Sequence, residues 1–292
     1  MRAAPTIAAA QRWATAVLSA AGIEDAGLDV RRLLAAVLAC PETYILARPE
    51  EALTPERAQT FAAYVARRRG REPVSRILGR QDFYGRSFAI SAETLDPRPD
   101  SETLIEAVLE LVKLEDWSSL PLSILDVGTG TGCLLLTLLL ELPHATGLGT
   151  DLSEPALKVA RANAAALRIG ARAQWRRADL LETIEGDFHI LVCNPPYVRS
   201  DAIGTLEPEV SRFDPHLALD GGADGLKIFR RLSTRLVEVV GNGWVVLEVG
   251  AGQAEQVAEL LRQQPAIGRG ADVKFYTDVS GRRRCVAVKT RN

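Results

Sequence analysis

The stretch Ile124-Leu125-Asp126-Val127-Gly128-Thr129-Gly130-Thr131-Gly132 decides the fold of this 292-residue chain. An apolar run typical of a buried strand passes into a turn with three glycines, and the apolar run 133–140 that follows predicts a helix. Glycine lets the backbone approach a ligand closely, and the amino end of a helix favours an anionic group. We therefore interpret residues 128–132 as a ligand-binding turn, with tight packing alone as the alternative.

Predicted strands and helices alternate around this turn. The strands are predicted at residues 123–127, 146–150, 172–177, 188–193, 244–249, 271–276 and 284–289. The helices are predicted at residues 101–114, 131–141, 153–167, 224–240 and 252–264. Such alternation predicts an α/β domain with a mostly parallel sheet and helices on both faces. The last two strands have no helix between them, which predicts an antiparallel pair at one edge.

The region before this domain has a different pattern. Residues 1–75 are predicted to be helical, and Thr54 before Pro55 is typical of a helix start. We interpret the Ala-rich first 20 residues as an amphipathic helix, with a transit peptide as the alternative. Residues 76–95 alternate aromatic residues with glycines, which predicts a β-hairpin linker to a third region, 96–292. Because no low-complexity linker is visible, we expect the two domains to be packed together.

Composition excludes several classes of protein. A net charge of −2 argues against a broad basic face for duplex nucleic acid. No apolar run reaches the roughly 18 residues that a transmembrane helix needs. The four cysteines and three histidines are scattered without metal-ligand spacing. We therefore expect no structural metal, no disulfides and a reducing compartment.

Acidic residues follow the next two predicted strands. Asp151 ends its strand 19 residues after Gly132, where an acid can accept both hydroxyls of a ribose. A nicotinamide dinucleotide would satisfy these features too, but the Gly-x-Gly-x-Gly spacing differs from the dinucleotide fingerprint. Asp179 stands where it could accept from an adenine amino group, and Leu180 could face the ring. A solvated acid at a strand end is the alternative for Asp179.

The tetrapeptide Asn194-Pro195-Pro196-Tyr197 follows another buried-type strand. Each proline has a fixed φ and no backbone N–H, so the loop is rigid and its polar groups are mostly acceptors. Such a loop is suited to holding an –NH2 group, although an ordinary proline-rich turn is the alternative. S-adenosylmethionine is the nucleoside ligand that fits beside it.

Residues 126–132, Asp151 and the tetrapeptide together resemble a class I methyltransferase that acts on an amino or amide nitrogen. Further stretches resemble a narrower family, the bacterial release factor glutamine N5-methyltransferases (the HemK/PrmC family). They are Arg71-Glu72-Pro73 with Ile77-Leu78-Gly79 and Phe83-Tyr84-Gly85, Pro97-Arg98-Pro99-Asp100-Ser101-Glu102, Glu207-Pro208-Glu209-Val210, and Ala218-Leu219-Asp220-Gly221-Gly222-Ala223-Asp224-Gly225-Leu226. The resemblance extends over nearly the whole chain.

This resemblance implies a Rossmann-like methyltransferase domain with a small N-terminal helical domain that recognises the substrate. It implies a cytoplasmic, monomeric enzyme without membrane or direct nucleic-acid contacts. The reaction transfers a methyl group from S-adenosylmethionine to the glutamine of the Gly-Gly-Gln loop in peptide-chain release factors. S-adenosylhomocysteine is the other product, and the modification modulates translation termination.

The resemblance also assigns roles to residues. The Asn194 side-chain oxygen and the Pro195 carbonyl accept the two amide N–H bonds, and Tyr197 covers the flat amide face. The catalytic residues are Asn194, Pro195, Pro196 and Tyr197. The cofactor-binding residues are Gly128, Thr129, Gly130, Thr131, Gly132, Asp151, Asp179, Leu180, Asn194 and Arg98.

Some positions depart from the family pattern. The family usually has Glu-Thr where this chain has Asp100-Ser101, and an apolar residue where it has Asp96, for which Arg98 is a candidate partner. Leu180 replaces a frequent aromatic residue, which predicts weaker packing on adenine. Two other functions stay open, an amino-methylase of DNA or RNA that uses the same loop and a non-catalytic protein that keeps the cofactor fold.

Overall fold

The computed structural model describes residues 5–264, 267, 268 and 270–290. The helices within these residues are α1 (Ile7–Ala20), α2 (Ala26–Leu38), α3 (Glu42–Ala47), α4 (Pro55–Arg69), α5 (Val74–Leu78), α6 (Glu102–Leu114), α7 (Cys133–Glu141), α8 (Glu154–Ala166), α9 (Pro208–Ser211), α10 (Lys227–Ser233), α11 (Leu236–Val239) and α12 (Ala254–Arg262). Short 3-10 turns cover Pro99–Ser101, Gly170–Arg172, Ile203–Thr205 and His216–Ala218. Across the described residues, no helix combines the length and apolar character needed to span a membrane.

The strands of the same residues form a hairpin and a larger sheet. They are β1 (Arg80–Phe83), β2 (Arg86–Ala89), β3 (Ser123–Val127), β4 (Thr146–Asp151), β5 (Ala173–Arg177), β6 (Ile190–Cys193), β7 (Trp244–Glu248), β8 (Val273–Thr277) and β9 (Arg283–Lys289). The larger sheet has the order β5-β4-β3-β6-β7-β9-β8. Its first five strands are parallel, and β9 runs antiparallel to both β7 and β8. The predicted parallel sheet with an antiparallel edge is therefore confirmed.

Two apolar cores cover the two faces of this sheet. Neighbouring residues on β3 point to opposite sides, so Ile124 packs in the core that includes α6 and α7, while Leu125 packs in the core that includes α10 and α12. Both residues are fully buried. A strand buried on both faces needs a continuous apolar run, which is the pattern that the sequence shows.

The chain divides into two compact units, and the first contains residues 1–80 together with 207–213. Within it, the helices surround a core that includes Leu18, Leu33 and Phe61. The predicted start of α4 is confirmed, because the Thr54 hydroxyl accepts a hydrogen bond from the Arg57 N–H at 3.3 Å. The sequence predicted domains with boundaries at residues 75 and 95. It therefore did not anticipate that residues 207–213 belong to the first unit.

An ion-pair cluster ties the 207–213 segment into this first unit. Glu209 pairs with the Arg68 Nη1 atom at 2.8 Å and with the Arg71 Nη2 atom at 2.7 Å. Arg68, which is buried, also pairs with Asp29 at 2.6 Å. Two stretches that carry the family resemblance, one around Arg71 and one around Glu209, therefore meet in the helical unit.

The structure corrects two details of the predicted elements. Instead of one helix over 224–240, α10 ends at Ser233 and α11 begins at Leu236. The hydroxyls of Ser233 and Thr234 donate to the carbonyls three residues earlier, which competes with continuation of the helix. In the 76–95 region, residues 76–78 are helical and the hairpin itself covers only residues 80–89.

Candidate active site

A cavity of about 390 Å³ lies within the second unit, at the carboxyl ends of the parallel strands. Its wall includes the glycine loop after β3, the residues after β4 and β5, and the loop after β6. Residues 93–98 and 215–218 also belong to the wall, together with Ser101, Leu134, Asp220, Lys227, Ile228 and Arg231. Ligands of open α/β sheets bind at this edge, because the loops after the strands converge there.

The glycine loop combines backbone shape with open space. Gly128, Gly130 and Gly132 have φ values of +73°, +55° and +79°, which only glycine adopts at little cost. A Cβ on Gly128 would have no neighbour within 4 Å, and one on Gly130 would meet only the Gly128 carbonyl at 4.0 Å. A Cβ on Gly132 would lie 3.0 Å from Trp175. Tight packing therefore explains Gly132, whereas Gly128 and Gly130 leave room for a ligand.

Two threonines of the same loop are buried within it. Thr129 donates its hydroxyl to the Asp126 carboxylate at 2.5 Å. The Thr131 hydroxyl accepts from the Cys133 N–H at 3.3 Å, at the start of α7. Burial of Asp126 raises the pKa of its carboxyl to about 7. The loop is thus stabilised by its own side chains, and its threonines line the cavity.

Asp151 connects the glycine loop to β4. One carboxylate oxygen accepts from the Gly130 N–H at 2.9 Å, and the other accepts from the Ser153 N–H at 2.9 Å. A carboxylate oxygen with one such partner retains a further lone pair that can accept from a hydroxyl. The structure therefore brings Asp151 and the glycine loop together in the wall of one cavity.

The acid after β5 also lines the cavity, together with an arginine. The Asp179 carboxylate pairs with Arg231 at 3.0 Å, so it is not simply solvated. Leu180 lines the wall beside it with a left-handed φ of +53°. Leu152, 41% exposed, contributes a second apolar surface that the sequence prediction missed. Its position directly after Asp151 in the sequence could have identified Leu152 as a residue of the site.

Asn194 is held by the residue that opens α6. The Asn194 side-chain nitrogen donates to the Ser101 hydroxyl oxygen at 3.1 Å. Within the part of the chain that the structure describes, neither the Asn194 side-chain oxygen nor the Pro195 carbonyl accepts a hydrogen bond. Asn194, Pro195 and Pro196 all line the cavity. Two residues of the wall therefore carry an acceptor that has no donor among the described residues.

Tyr197 does not line this cavity, unlike the other three residues of the tetrapeptide. It is partly buried, and its hydroxyl donates to the Glu248 carboxylate at 3.2 Å. The expected role of its ring as a cover for the substrate amide therefore has no support in this geometry. Packing explains the difference, because the ring lies against the sheet core.

Glu248 is a buried acid that sequence reasoning missed. It ends β7 and is 2% exposed. Burial raises the pKa of its carboxyl to about 7, although the nearby hydroxyls of Ser101 and Tyr197 lower it in part. An acid closing an otherwise apolar strand was the sequence signal that could have identified it.

Arg98, which the family resemblance assigns to cofactor binding, lines the cavity. Its guanidinium pairs with Asp214 at 2.5 Å, and the Asp214 side chain is almost fully buried. Asp96, the other acid near this turn, is buried and lines the same wall. Among the described residues, no group of three or more His, Cys, Asp or Glu residues could hold a metal ion.

Comparison with known proteins identifies the family. The model of the PrmC N-terminal domain matches residues 9–79, and the model of the methyltransferase small domain matches residues 101–207. A release factor glutamine methyltransferase from Cereibacter sphaeroides is 40% identical over 290 residues, covering 99% of each chain. One from Rhodospirillum rubrum is 44% identical over 275 residues, covering 94% of this chain and 82% of the relative.

A solved structure supports the fold alone. The N-terminal domain of human METTL16, crystallised with SAH, is 20% identical and superimposes with a TM-score of 0.52. The match covers 72% of this chain and 77% of that one. From the identity to the full-length relatives and from the two domain models, we conclude that the chain belongs to the release factor glutamine methyltransferase family.

Proposed function

We propose that this protein transfers a methyl group from S-adenosylmethionine to the side-chain amide nitrogen (N5) of the glutamine in the Gly-Gly-Gln loop of peptide-chain release factors. The proposal rests mainly on one observation. Asn194 and Pro195 line the cavity, and neither the Asn194 side-chain oxygen nor the Pro195 carbonyl accepts a hydrogen bond from the described residues. A primary carboxamide has two N–H bonds, and two acceptors on a rigid loop match that requirement.

The residues present fit S-adenosylmethionine. Gly128 and Gly130 leave open space on the ligand side of the loop, where a Cβ would have no neighbour closer than 4.0 Å. Asp151 retains lone pairs for ribose hydroxyls, and the apolar side chains of Leu152 and Leu180 suit the faces of an adenine ring. When bound, this cofactor supplies an electrophilic methyl group on a sulfonium.

The contribution of the protein is positioning. A carboxamide nitrogen is a poor nucleophile because its lone pair is delocalised into the carbonyl. Hydrogen bonds from its two N–H groups to Asn194 and Pro195 orient it and raise its electron density. No strong general base is required, because the nitrogen becomes acidic as the methyl group is transferred. Binding of a glutamine side chain, rather than of a base, explains why no broad basic groove is needed.

The test offers tritiated cofactor to the full-length protein with purified release factor, and in parallel with DNA and ribosomal RNA. We expect label on release factor alone, at the Gly-Gly-Gln glutamine when the peptides are separated by mass spectrometry. A release factor with that glutamine replaced is the matched control and should take no label. Label on nucleic acid but not on release factor would replace this proposal with the amino-methylase alternative.

A further inference from the structure

The turn that follows β5 forms the part of the cavity wall that suits an adenine ring. Asp179 and Leu180 line the cavity, and the Glu182 N–H donates to the Asp179 carbonyl at 3.0 Å, which closes the turn. Leu180 has a left-handed φ of +53°, a conformation that is unfavourable for a residue with a side chain. Such strain persists where the surrounding structure holds the backbone, and it is frequent at ligand sites. The contacts that hold this turn therefore shape the wall.

Two arginines hold this turn in place. The Arg231 guanidinium, on α10, pairs with the Asp179 carboxylate at 3.0 Å and with the Glu182 carboxylate at 3.1 Å. Arg235, four residues later, donates to the Leu181 carbonyl at 2.8 Å. Arg231 thus bridges the two ends of the turn, while Arg235 fixes its middle. The position of the Asp179 carboxylate is therefore set by a cation of the protein.

The ion pair makes the two oxygens of the Asp179 carboxylate unequal. Arg231 lies against Oδ2, whereas Oδ1 has no hydrogen-bond donor within the part of the chain that the structure describes. Because an ionised carboxylate can only accept, Oδ1 suits the 6-amino group of adenine and disfavours the carbonyl oxygen that replaces this group in hypoxanthine. The side chain of Asp179 is 37% exposed, so without Arg231 the carboxylate could rotate toward water.

We propose that Arg231 is a positioning residue, which holds Asp179 so that one carboxylate oxygen accepts from the adenine amino group, and that the cofactor site thereby selects adenine over hypoxanthine. The inference rests on the proposed function, since the adenine belongs to the cofactor of that reaction. Arg231 also lines the cavity, so a direct contact with the cofactor is the competing role that the experiment must separate.

The test measures the affinities of two ligands for the full-length protein by calorimetry. S-adenosylhomocysteine carries the amino group, whereas S-inosylhomocysteine has a carbonyl oxygen there and a hydrogen on the adjacent ring nitrogen. We expect wild-type protein to bind the first roughly 10-fold or more tightly, the scale of a hydrogen bond to a charged group. A wild-type ratio near one would overturn the proposal.

Arg231→Gln should reduce this ratio of affinities to less than about 3-fold, because the carboxylate is no longer fixed. A merely structural loosening of the site would weaken both ligands equally, so an unchanged ratio would overturn the positioning role. Arg231→Lys keeps a cation that can pair with Asp179 and should keep most of the wild-type ratio. Arg231 is 39% exposed, so these substitutions should leave the protein folded.

The double variant Arg231→Gln with Asp179→Asn separates action through Asp179 from direct contact. Asp179→Asn removes the acceptor charge and should lose the discrimination by itself. If Arg231 acts through Asp179, the double variant has the same ratio of affinities as Asp179→Asn alone. A different ratio in the double variant would mean that Arg231 meets the adenine itself, and the proposal would be overturned.

Arg230→Gln is the matched control. Arg230 is the preceding residue on α10 and pairs with Asp224 at 3.1 Å, but it does not line the cavity. We expect the wild-type ratio of affinities from it. An unchanged ratio in Arg231→Gln, with release factor still labelled by the wild-type protein, rejects the positioning role alone. Failure of the wild-type protein to label release factor rejects the proposed function, and the affinity ratio is measured independently of that outcome.

Discussion

Asn194 is the residue on which the proposed chemistry depends most directly. Asn194→Ala should lower kcat by on the order of 10²-fold or more, the scale for loss of one preorganised polar contact in the transition state. Cofactor affinity should stay nearly unchanged, because the glycine loop and Asp151 are untouched. Asn194→Asp keeps an acceptor and should be partly active. Methyl-transfer kinetics and calorimetry measure both effects, and wild-type turnover by Asn194→Ala would contradict the mechanism.

Gly130 tests the cofactor assignment at a single position. A side chain there would extend into the open space of the loop, since its Cβ would meet only the Gly128 carbonyl at 4.0 Å. Gly130→Val should therefore abolish binding of S-adenosylmethionine by calorimetry while the far-ultraviolet circular dichroism stays native. Gly252→Val, at another glycine with positive φ and open surroundings, controls for backbone strain. Unchanged affinity in a folded Gly130 variant would remove the assignment.

Glu248 also predicts a pH dependence of stability. Burial raises the pKa of its carboxyl from 4.5 to about 7, against the influence of Arg284. Because this pKa is raised in the folded state, the contribution of the carboxyl to stability is complete below pH 4.5 and is lost as the pH rises to about 7. In denaturant titrations, the free energy of unfolding of Glu248→Gln should therefore rise relative to that of the wild-type protein by about 1.4 kcal/mol for each pH unit across this window. A constant difference would show that the buried acid does not titrate there.

At the scale of elements, the 207–213 segment is the least expected feature. Its flanks belong to the second unit, yet the segment itself packs in the helical unit through Glu209. Although burial opposes it, hydrogen bonding to Arg68 and Arg71 lowers the pKa of Glu209, as expected for a carboxylate held in an ion pair. Arg71 and Glu209 lie in two separate stretches that resemble the family. The ion pair between them gives both stretches a common structural role.

Glu209→Gln should destabilise the protein, because it leaves the buried Arg68 with Asp29 as its remaining acidic partner in this cluster. The expected loss is about 1–3 kcal/mol, the range for an impaired hydrogen bond of a charged group. Glu207→Gln is the control: Glu207 is exposed in the same segment, and its substitution should change stability by no more than about 0.5 kcal/mol. Equal thermal midpoints for the two variants would show that the cluster contributes little.

At the scale of the whole molecule, we expect the helical unit to bind release factor away from its Gly-Gly-Gln loop. One glutamine side chain offers too little surface for specificity, and remote binding energy helps to position the reacting group. Removing the unit should raise KM for intact release factor sharply and spare cofactor affinity. A short Gly-Gly-Gln peptide should be a poor substrate of both forms.

The fragment for that experiment must be chosen from the structure. A fragment that begins at residue 90 would lack Phe83 and Phe88, which are buried in the core of the second unit. The fragment should therefore begin at Gln81, with native circular dichroism and cofactor binding as controls for folding. If that folded fragment methylated intact release factor as efficiently as the full chain, the helical unit would have no role in recognition.

The features that the sequence predicted correctly are those that depend on neighbouring residues. The parallel sheet, the glycine loop with Asp151 and the Asn194–Pro196 wall followed from apolar periodicity, positive φ at glycines and proline rigidity, which act over a few residues. The break between α10 and α11 was missed because the hydroxyls of Ser233 and Thr234 compete with the helix without interrupting the periodic pattern.

By itself, the sequence determined the strands, the turns and the chemical groups at the strand ends, because these depend on short-range sterics and burial. Only the tertiary structure decided which distant groups meet. Ser101 and Asn194 are 93 residues apart, Tyr197 and Glu248 are 51 apart, and Arg68 and Glu209 are 141 apart. Such pairs produce no periodic pattern in the sequence, because each depends on how whole helices and strands pack against one another. The hydrogen bond that holds Asn194, the packing of Tyr197 against the sheet core and the attachment of 207–213 to the helical unit were therefore visible only in the folded molecule.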